Sequence, residues 1–291
     1  MSDRFTHDVV VCVHNGLEDV KQCLNSLVLH WDRDGLDRLI VVDDCSGDET
    51  RYYLDTFSSQ HDFVDVLHLQ SQHYYTKAAN VGLKASNACL RTLLNSDTIV
   101  TKSWWWKVQK TFSMSPAIGI VGPLSNAAST QSVPFVKSSK NQTAINDLPL
   151  GVSIDIFGEY IEEVGSSVVM PFVPLVHGFC LTIRDVVLEA IGFFDEETFP
   201  RGYGEENDFC FRADDAGFVL AIAVDTFVFH TKSKSYSSSD RVKFMHDGML
   251  NFSKKHGADR IKKAVAFMEQ NIHLQCMRDA VLTKWSKYYG A

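Results

Sequence analysis

The chain has no excess of basic residues and no long apolar run. Its 291 residues include 28 Lys and Arg against 36 Asp and Glu, which gives a formal net charge of -8. Nucleic-acid backbones require a basic binding surface, so we expect no nucleic acid among the partners. No apolar run approaches the ~20 residues of a membrane span, and the first residues lack the apolar segment of a signal peptide. These absences predict a cytoplasmic protein.

Two local patterns are also missing. The seven cysteines are scattered without a C-x-x-C pair, which is typical of reduced thiols in the cytosol. The first apolar run, residues 9–13, is followed by His14-Asn15-Gly16 and not by a glycine-rich dinucleotide fingerprint, so a simple NAD-binding domain is disfavoured. Hydrophobic residues nevertheless make up 45% of the chain, which is enough for a sizeable core.

Short apolar runs alternate with helical patterns over roughly the first 120 residues. The runs at residues 9–13, 39–42 and 64–69 predict strands, and the segments between them carry apolar residues at helical spacing. Such alternation is typical of βαβ units. It predicts an α/β fold with a central, mostly parallel, Rossmann-like sheet flanked by helices.

The pattern changes beyond residue 122. Between residues 123 and 174 the periodicity weakens and polar and turn-forming residues dominate, so we expect a variable lobe or a long loop. A strand is predicted within 173–183. Helical patterns at 240–255 and 259–289 predict a helical C-terminal extension.

Acidic clusters stand where apolar runs end. Asp43 and Asp44 close one predicted strand, residues 95–97 (Asn-Ser-Asp) follow another, and residues 205–208 contain three more acids. His230 ends a further apolar run. Because open α/β sheets bind ligands at the carboxyl ends of their strands, we expect these side chains to meet there. The set predicts a metal-assisted site for a phosphorylated ligand.

Asp97 and His230 are the candidate metal ligands. Asn95 and Asp97 form an Asn-x-Asp element with one carboxylate and one neutral oxygen, ligands that suit a hard cation neutralising a diphosphate. The alternative for Asp97 is a helix N-cap. An imidazole at position 230 can complete such a site, although a histidine at a strand end can also be structural. Lys232 and Lys234, with the hydroxyl groups around them, suit a diphosphate.

Glu205, Glu206 and Asp208 are the catalytic candidates. They follow a glycine-rich aromatic turn, where a carboxylate could deprotonate an acceptor hydroxyl. The alternative is that acids at a helix start only favour the helix dipole. Neighbours on a helix are separated by about 100°, so Glu205 and Glu206 cannot share one role. Asp208 is a weaker candidate, as an acceptor or packing contact.

Taken together, these motifs resemble the inverting glycosyltransferases of family 2, which have the GT-A fold. The segments that carry the resemblance stand in order along the chain: residues 9–16, 41–50, 93–98, 192–195 and 205–212, and His230. The resemblance implies that Glu206 is the general base and that Mn²⁺ or Mg²⁺ is bound by Asp97 and His230. The donor-binding residues that it implies, together with the two lysines, are Val13, His14, Asn15, Asp43, Asp44, Lys77, Asn80, Asn95, Ser96, His177, Gly178, Lys232 and Lys234.

The implied reaction moves a sugar from a nucleoside diphosphate sugar to a hydroxyl of a glycan or lipid-linked saccharide, in surface polysaccharide biosynthesis. UDP-sugars are the favoured donors, with dTDP-rhamnose as a second choice. Residues 1–122 would form the nucleotide-sugar half of one domain, 123–256 its acceptor-binding and catalytic half, and 257–291 the helical extension. The alternatives are a catalytically inactive sugar-binding relative and a sugar nucleotidyltransferase.

The C-terminal residues 284–289 mix basic and aromatic side chains, a composition found in interfacial helices. This pattern predicts a peripheral contact with the inner face of the cell membrane. A packed C-terminal helix or a contact in a homo-oligomer is the alternative.

Overall fold

The computed structural model describes residues 4–140, 142–232 and 238–290. Its centre is an eight-stranded sheet with the strand order β3-β2-β1-β4-β7-β6-β8-β5. The strands are β1 (His7–Val13), β2 (Arg38–Asp43), β3 (Val64–His68), β4 (Leu90–Asn95), β5 (Thr98–Val100), β6 (Ile118–Leu124), β7 (Cys180–Arg184) and β8 (Val219–His230).

Helices flank this sheet and form the C-terminal part of the chain. A short 3₁₀ helix at Ser129–Gln131 follows β6. The α-helices are α1 (Leu17–Leu29), α2 (Asp48–Gln60), α3 (Tyr74–Ala85), α4 (Trp104–Ser113), α5 (Ile154–Gly165), α6 (Asp185–Ile191), α7 (Glu205–Asp215), α8 (Ser238–His256), α9 (Ala258–Glu269), α10 (Ile272–Lys284) and α11 (Ser286–Tyr289).

The first half of the sheet is parallel, as the sequence predicts. β1 pairs in parallel with β2 and β4, and β2 pairs in parallel with β3. Side chains of β1 and β2 are buried on both faces of the sheet, as expected for strands covered by helices on both sides. The expected Rossmann-like α/β fold is confirmed. We call the side of the sheet where β1, β2 and β4 end the carboxyl edge.

Strands from the second half of the chain reach the same carboxyl edge. β7 runs antiparallel to β4 and therefore begins there, with Cys180 opposite Leu94. β8 is parallel to β6, and its last residues pair antiparallel with β5, which sets His230 opposite Thr98. The sheet thus brings together segments that are far apart in the sequence.

The structure refines two expectations about secondary structure. Region 123–174, expected to be a variable lobe or a long loop, contains α5. Ser153 caps α5 by accepting a hydrogen bond from the Ile156 amide, and Phe157 and Ile161 are buried in the core. The pattern at 259–289 is three helices and not one, since the chain turns before Asn271, whose side chain caps α10.

The C-terminal helices share the main core. Leu274, Met277 and Val281 of α10 are buried in the same hydrophobic cluster as Phe157. Trp285 stacks on Phe157 with the ring centroids 5.0 Å apart, so its ring is used in packing. Within the ranges that the structure describes, no helix combines the length and the apolarity needed to cross a bilayer. The division of the chain at residues 122 and 256 stays a prediction.

Candidate active site

Asp97 and His230 form a close pair at the carboxyl edge. The pairing of β5 with β8 places their side chains together, with the Asp97 Oδ1 atom 3.1 Å from the His230 Nε2 atom. The Asp97 carbonyl also accepts a hydrogen bond from the Thr231 amide at 2.9 Å. Burial raises the pKa of the Asp97 carboxyl, but the hydrogen bond and charge of His230 and the charge of Lys232 outweigh it and lower the pKa overall. Asp97 is therefore ionised at neutral pH.

This pair has the chemistry and spacing of two ligands of one divalent cation. Two adjacent ligands at the ~2.1 Å metal distances of an octahedral site lie about 3 Å apart, close to the observed separation. The other imidazole nitrogen of His230, Nδ1, is buried and has no hydrogen-bond partner among the described residues. No cluster of three His, Cys, Asp or Glu side chains in those residues could hold a metal. A cation bound here would need oxygen ligands from a bound molecule or water.

Asp43 supports the site from behind. Its side chain is fully buried, and Oδ1 accepts a hydrogen bond from the Ser46 amide at 2.9 Å. Its Oδ2 atom lies 2.7 Å from the His68 Nδ1 atom. These contacts fix the loop after β2, so Asp43 acts on a ligand only by holding that loop in place.

The loops after β1 and β2 are tied to each other. The Asp44 amide donates to the Val13 carbonyl at 2.8 Å, and the His14 Nδ1 atom lies 2.8 Å from the Asp44 carbonyl. The Asn15 amide donates to the Ser46 hydroxyl at 2.8 Å. Val13, His14, Asn15 and Asp44 therefore lie together at the carboxyl edge, where the sequence places the nucleoside of a donor.

The carboxylate of Asp44 already accepts two hydrogen bonds. Its oxygens accept from the backbone amides of His73 and Tyr74, at 2.6 and 2.7 Å, just before and at the start of α3. Each carboxylate oxygen can accept a second hydrogen bond, so a contact with a nucleobase stays a prediction.

Asn80 is occupied by protein contacts and does not belong to the proposed donor site. Its side chain is 1% exposed, and its amide nitrogen donates to the Phe194 carbonyl at 2.9 Å and to Glu196 Oε1 at 2.7 Å. Its amide oxygen accepts from the Phe194 amide at 3.0 Å. The donor contact expected for Asn80 is corrected to a structural tie between α3 and the segment before α7. Lys77, one turn earlier, is exposed.

The segment before β7 lies beside the metal-ligand candidates. The His177 amide donates to Gln131 Oε1 at 2.6 Å, and its Nε2 atom lies 3.0 Å from the Thr130 hydroxyl. Burial, helped by the charge of Lys232, lowers the pKa of His177 to about 4, so this imidazole is neutral at pH 7. Lys232 therefore lies close enough to act electrostatically on His177 and Asp97.

Asn95, Ser96 and Lys234 are three further predicted donor-binding residues. Asn95 and Ser96 are half-buried in the turn between β4 and β5, and the Asn95 carbonyl accepts from the Thr98 hydroxyl at 2.7 Å. Lys234 lies outside the described residues. The donor contacts of all three stay predictions.

Glu206 is half-buried at the first turn of α7, facing Gly178. Its Oε2 atom accepts a weak hydrogen bond from the Gly204 amide at 3.3 Å. A Cβ atom at position 178 would lie 3.3 Å from the Cβ and Cγ atoms of Glu206, so glycine leaves space for this long acid. Burial raises the pKa of the Glu206 carboxyl, which suits a base that must take a proton near neutral pH.

Glu205 is more deeply buried than Glu206. It is 4% exposed, and its Oε2 atom has no hydrogen-bond partner among the described residues. Burial and the neighbouring charge of Glu206 raise the pKa of Glu205 well above its usual value. Burial thus favours the protonated form of Glu205 more strongly than that of Glu206, which makes Glu206 the better candidate for the base.

Asp208 is not available as a catalytic base. Its buried carboxylate pairs with Arg212 Nε at 2.8 Å, Lys255 Nζ at 2.8 Å and His256 Nε2 at 2.7 Å. Burial raises the pKa of Asp208, but hydrogen bonds from these three partners lower it overall. The catalytic role considered for Asp208 is corrected to a structural one, which joins α7 to α8.

Replacing Asp208 with Asn should destabilise the fold by about 3 kcal/mol, because it leaves buried cations without their counter-ion. The pKa of Asp208 is lowered in the folded state, so its stabilisation is present above the unfolded value of 3.8 and is lost as pH falls through the folded value. Urea unfolding at pH 7 and in acid measures both effects. Asp214→Asn, at an exposed pair with Arg260, is the control and should cost at most about 1 kcal/mol. An Asp208→Asn variant that folds stably but has no transfer activity would show that Asp208 takes part in the reaction.

Sequence reasoning missed Tyr75 and Arg201. Tyr75 lies beside the turn before α7, since a Cβ atom added at Gly202 would lie 3.7 Å from the Tyr75 Cβ atom, and burial raises the pKa of its phenol. Arg201 lies over the ring of Tyr74, next in sequence to Tyr75. Neither residue belongs to an acidic cluster or a strand end, so no local pattern pointed to them.

Comparisons with known proteins were made for sequence and for structure. Residues 8–145 match the family described as Glycosyl transferase family 2. The glycosyltransferase AglE of Haloferax volcanii is 25% identical over 114 residues, which is 39% of this chain and 37% of that protein. The match thus spans little more than a third of that curated relative.

Solved structures resemble nearly the whole chain. The mannosyltransferase PcManGT of Pyrobaculum calidifontis, in complex with GDP-Man and Mn²⁺, has a TM-score of 0.64 at 15% identity, over 98% of this chain and 76% of its own. Residues 1–349 of TarS from S. aureus, in complex with UDP-GlcNAc, have a TM-score of 0.56 at 17% identity, over 96% of this chain and 76% of that one. At these identities the likeness shows the fold. Residues 8–145, just under half of the chain, therefore match glycosyltransferase family 2, and the chain has the GT-A fold.

Proposed function

We propose that the chain transfers a sugar, with inversion at the anomeric carbon, from a nucleoside diphosphate sugar to an acceptor hydroxyl. The observation that carries the proposal is the 3.1 Å pair of Asp97 and His230 at the carboxyl edge, with the half-buried acid Glu206 in the same electrostatic environment. The positive charge of Lys232 acts to lower the pKa of both Asp97 and Glu206, and this shared effect links the metal-ligand pair to the acid. A cation site and a carboxylate base are the groups that this reaction needs.

Glu206 takes the proton of the acceptor hydroxyl as the hydroxyl oxygen attacks the anomeric carbon. The bond from that carbon to the donor's diphosphate breaks on the opposite face, which gives inversion. A raised pKa makes Glu206 a stronger base than an ordinary carboxylate, at the cost of requiring a pH above that pKa. Burial and the charge of Glu206 raise the pKa of Glu205 well above its usual value, which disfavours a second negative charge beside Glu206.

Asp97 and His230 are the residues that would hold Mn²⁺ or Mg²⁺. When bound, the cation would supply the positive charge that stabilises a departing diphosphate. Lys232 adds a fixed positive charge on the same side of the site. The neighbouring P. calidifontis enzyme was crystallised with Mn²⁺, which supports a divalent cation in this fold.

His14, Asn15 and Asp44 are the proposed contacts of the nucleoside. Uracil and thymine present a ring N–H from which a carboxylate such as Asp44 can accept a hydrogen bond, which is consistent with UDP-sugars as the favoured donors and dTDP-rhamnose as the second choice. TarS was crystallised with UDP-GlcNAc and the P. calidifontis enzyme with GDP-Man. These ligands support a nucleotide-sugar donor as a class.

The proposed acceptor is a growing surface glycan or a lipid-linked saccharide, which would place the chain at the inner face of the cell membrane. Residues 1–122 then provide the donor half of the domain and residues 123–256 the acceptor half. Residues 257–291 form the helical extension that packs on α5.

A donor panel tests this function. Thermal unfolding is followed with UDP-, dTDP-, GDP- and CMP-sugars, each with and without Mn²⁺, and slow hydrolysis of the best donor is then measured. We expect one nucleotide class to raise Tm only when Mn²⁺ is present, and the sugar to be released by the wild-type chain. Sugar binding without metal-dependent donor binding or hydrolysis would contradict the proposal and favour an inactive sugar-binding relative.

A further inference from the structure

Arg201 is an exposed arginine whose N–H groups have no acceptor among the residues that the structure describes. Every other arginine whose side chain is described contacts a carboxylate or a backbone carbonyl, as Arg212 and Arg260 do. Arg201 instead contacts two aromatic rings, with its guanidinium carbon 5.2 Å from the Tyr74 ring centroid and 4.6 Å from that of Phe244. The chain has a net charge of -8, so carboxylates are abundant, yet Arg201 is paired with none of the described ones.

The guanidinium lies against two aromatic rings. Tyr74 and Phe244 meet edge to face with their centroids 6.1 Å apart, and the guanidinium carbon of Arg201 is within 5.2 Å of both centroids. Stacking uses the flat faces of a guanidinium, whereas hydrogen bonds are donated from its edges. The contact with the rings therefore leaves the guanidinium N–H groups of Arg201 available to a ligand. A guanidinium placed in this way is suited to bind two oxygens of one anionic group.

The position of this cluster connects it to the catalytic acids. Arg201 immediately precedes Gly202, where an added Cβ atom would lie 3.7 Å from the Oε2 atom of Glu205. Tyr74 starts α3 and is followed by Tyr75, whose Cβ atom would lie 3.7 Å from the same added Cβ atom. Phe244 belongs to α8, whose Gly248 packs against the backbone of Tyr203 in the turn before α7. The cluster thus borders the side of the site where Glu206 meets the acceptor.

We propose that Tyr74, Arg201 and Phe244 form an acceptor subsite that binds an anionic oxygen group, a phosphate or a carboxylate, carried by the acceptor saccharide. The inference rests on the proposed function, since it assumes that an acceptor reaches Glu206. It restricts the acceptor class to saccharides with a negative charge close to the reacting sugar. The charge could come from the phosphate that links a sugar to a lipid or from a soluble acidic saccharide.

The test measures binding and not turnover, on the full chain saturated with UDP and Mn²⁺ so that the donor phosphate site is filled. The probes are N-acetylglucosamine 1-phosphate, methyl glucuronide, their neutral methyl glycosides, and N-acetylglucosamine linked through a diphosphate to a short prenyl chain. Arg201→Met keeps an apolar side chain between the rings and removes the charge. Arg33→Met is the matched control, because Arg33 also stacks on an aromatic ring, Phe63, but is paired with Asp62.

We expect Arg201→Met to weaken the binding of the anionic probes by roughly 10-fold or more, with neutral glycosides unchanged. Arg33→Met should bind all probes like the wild type. Arg201→Lys, which keeps the charge but not the flat fork, should retain part of the affinity and show that the loss is not misfolding. Tighter binding of the prenyl-linked probe than of the soluble phosphate would identify a lipid-linked acceptor, and equal binding a soluble one.

Equal affinity of wild type and Arg201→Met for every anionic probe would overturn the inference. So would a weakened binding of UDP and Mn²⁺ in Arg201→Met, because the arginine would then serve the donor. Failure of the proposed function would look different. In that case no nucleotide would bind with Mn²⁺ to the wild-type chain, whatever the behaviour of Arg201.

Discussion

Replacing Glu206 with Gln is expected to lower the rate of sugar transfer by roughly 10²- to 10⁴-fold while leaving donor affinity nearly unchanged. The amide has the same shape as the carboxyl but cannot accept the hydroxyl proton. The neighbouring acids are less suited to the role, because burial raises the pKa of Glu205 well above its usual value and Asp208 is paired with Arg212, Lys255 and His256. The measurement is an initial rate with the best donor, together with the thermal shift that this donor causes.

An exposed acid in the same region provides the control for this variant. Glu197→Gln makes the same change in the exposed turn before α7 and should leave the rate unaltered. Near-normal transfer by Glu206→Gln would remove Glu206 from the role of base. Equal losses of donor binding and of rate would indicate that the acid supports the site and not the proton transfer.

The pH profile of kcat/KM gives a second test of the same residue. Burial raises the pKa of Glu206 above its usual value of 4.5, so activity should rise with pH through that raised pKa. Glu205→Gln should leave this acid limb at the same pH, because burial, and not the charge of Glu205, raises the pKa of Glu206. A shift of the limb to lower pH in Glu205→Gln would show that Glu205 is ionised and repels the charge of Glu206.

Replacing Asp97 with Asn is expected to weaken the binding of Mn²⁺ in the presence of UDP by more than about 100-fold. The change keeps the shape and one oxygen but removes the only carboxylate of the proposed metal pair. His230→Gln should have a similar effect, since the pair is the described protein contribution to the site. Titration of Mn²⁺, followed by the loss of the free-ion electron paramagnetic resonance signal, measures both. Asp34→Asn, at an exposed position, is the control and should match the wild type.

The position of the site could be predicted because it depends on local sequence patterns. Apolar runs that end in Asp43-Asp44 and in Asn95-Ser96-Asp97 predict parallel strands, and parallel strands end at one edge. The approach of His230 to Asp97 follows from the pairing of β5 with β8, which no local pattern contains. The motif resemblance supplied that link, and the geometry agrees with it.

The roles within the acid cluster could not be predicted in the same way. Asp208 is neutralised by Lys255 and His256, which lie on a later helix, so its structural role depends on distant parts of the chain. The same holds for Asn80, whose partners Phe194 and Glu196 come from the segment before α7. α5, by contrast, could have been predicted from local sequence, because Ser153 is a typical helix cap and Phe157, Ile161 and Val164 have helical spacing. The polar residues on either side of α5 made this pattern hard to recognise.

The long side chain of Glu206 fits because it faces a glycine. Gly178 faces its Cβ and Cγ atoms, at the position where any other residue would place a Cβ atom 3.3 Å away. Because the Asn95 side chain is neutral, Asp97 and His230 are the pair on which the proposed metal binding depends.

The measurement that tests this account most directly is electron spin echo envelope modulation of Mn²⁺ bound to the chain together with UDP. The account predicts nitrogen modulation from one imidazole in the wild-type complex, and its loss in His230→Gln when enough Mn²⁺ is added to fill the site. Modulation that persists unchanged in His230→Gln, or a Mn²⁺ complex with no imidazole nitrogen at all, would contradict it.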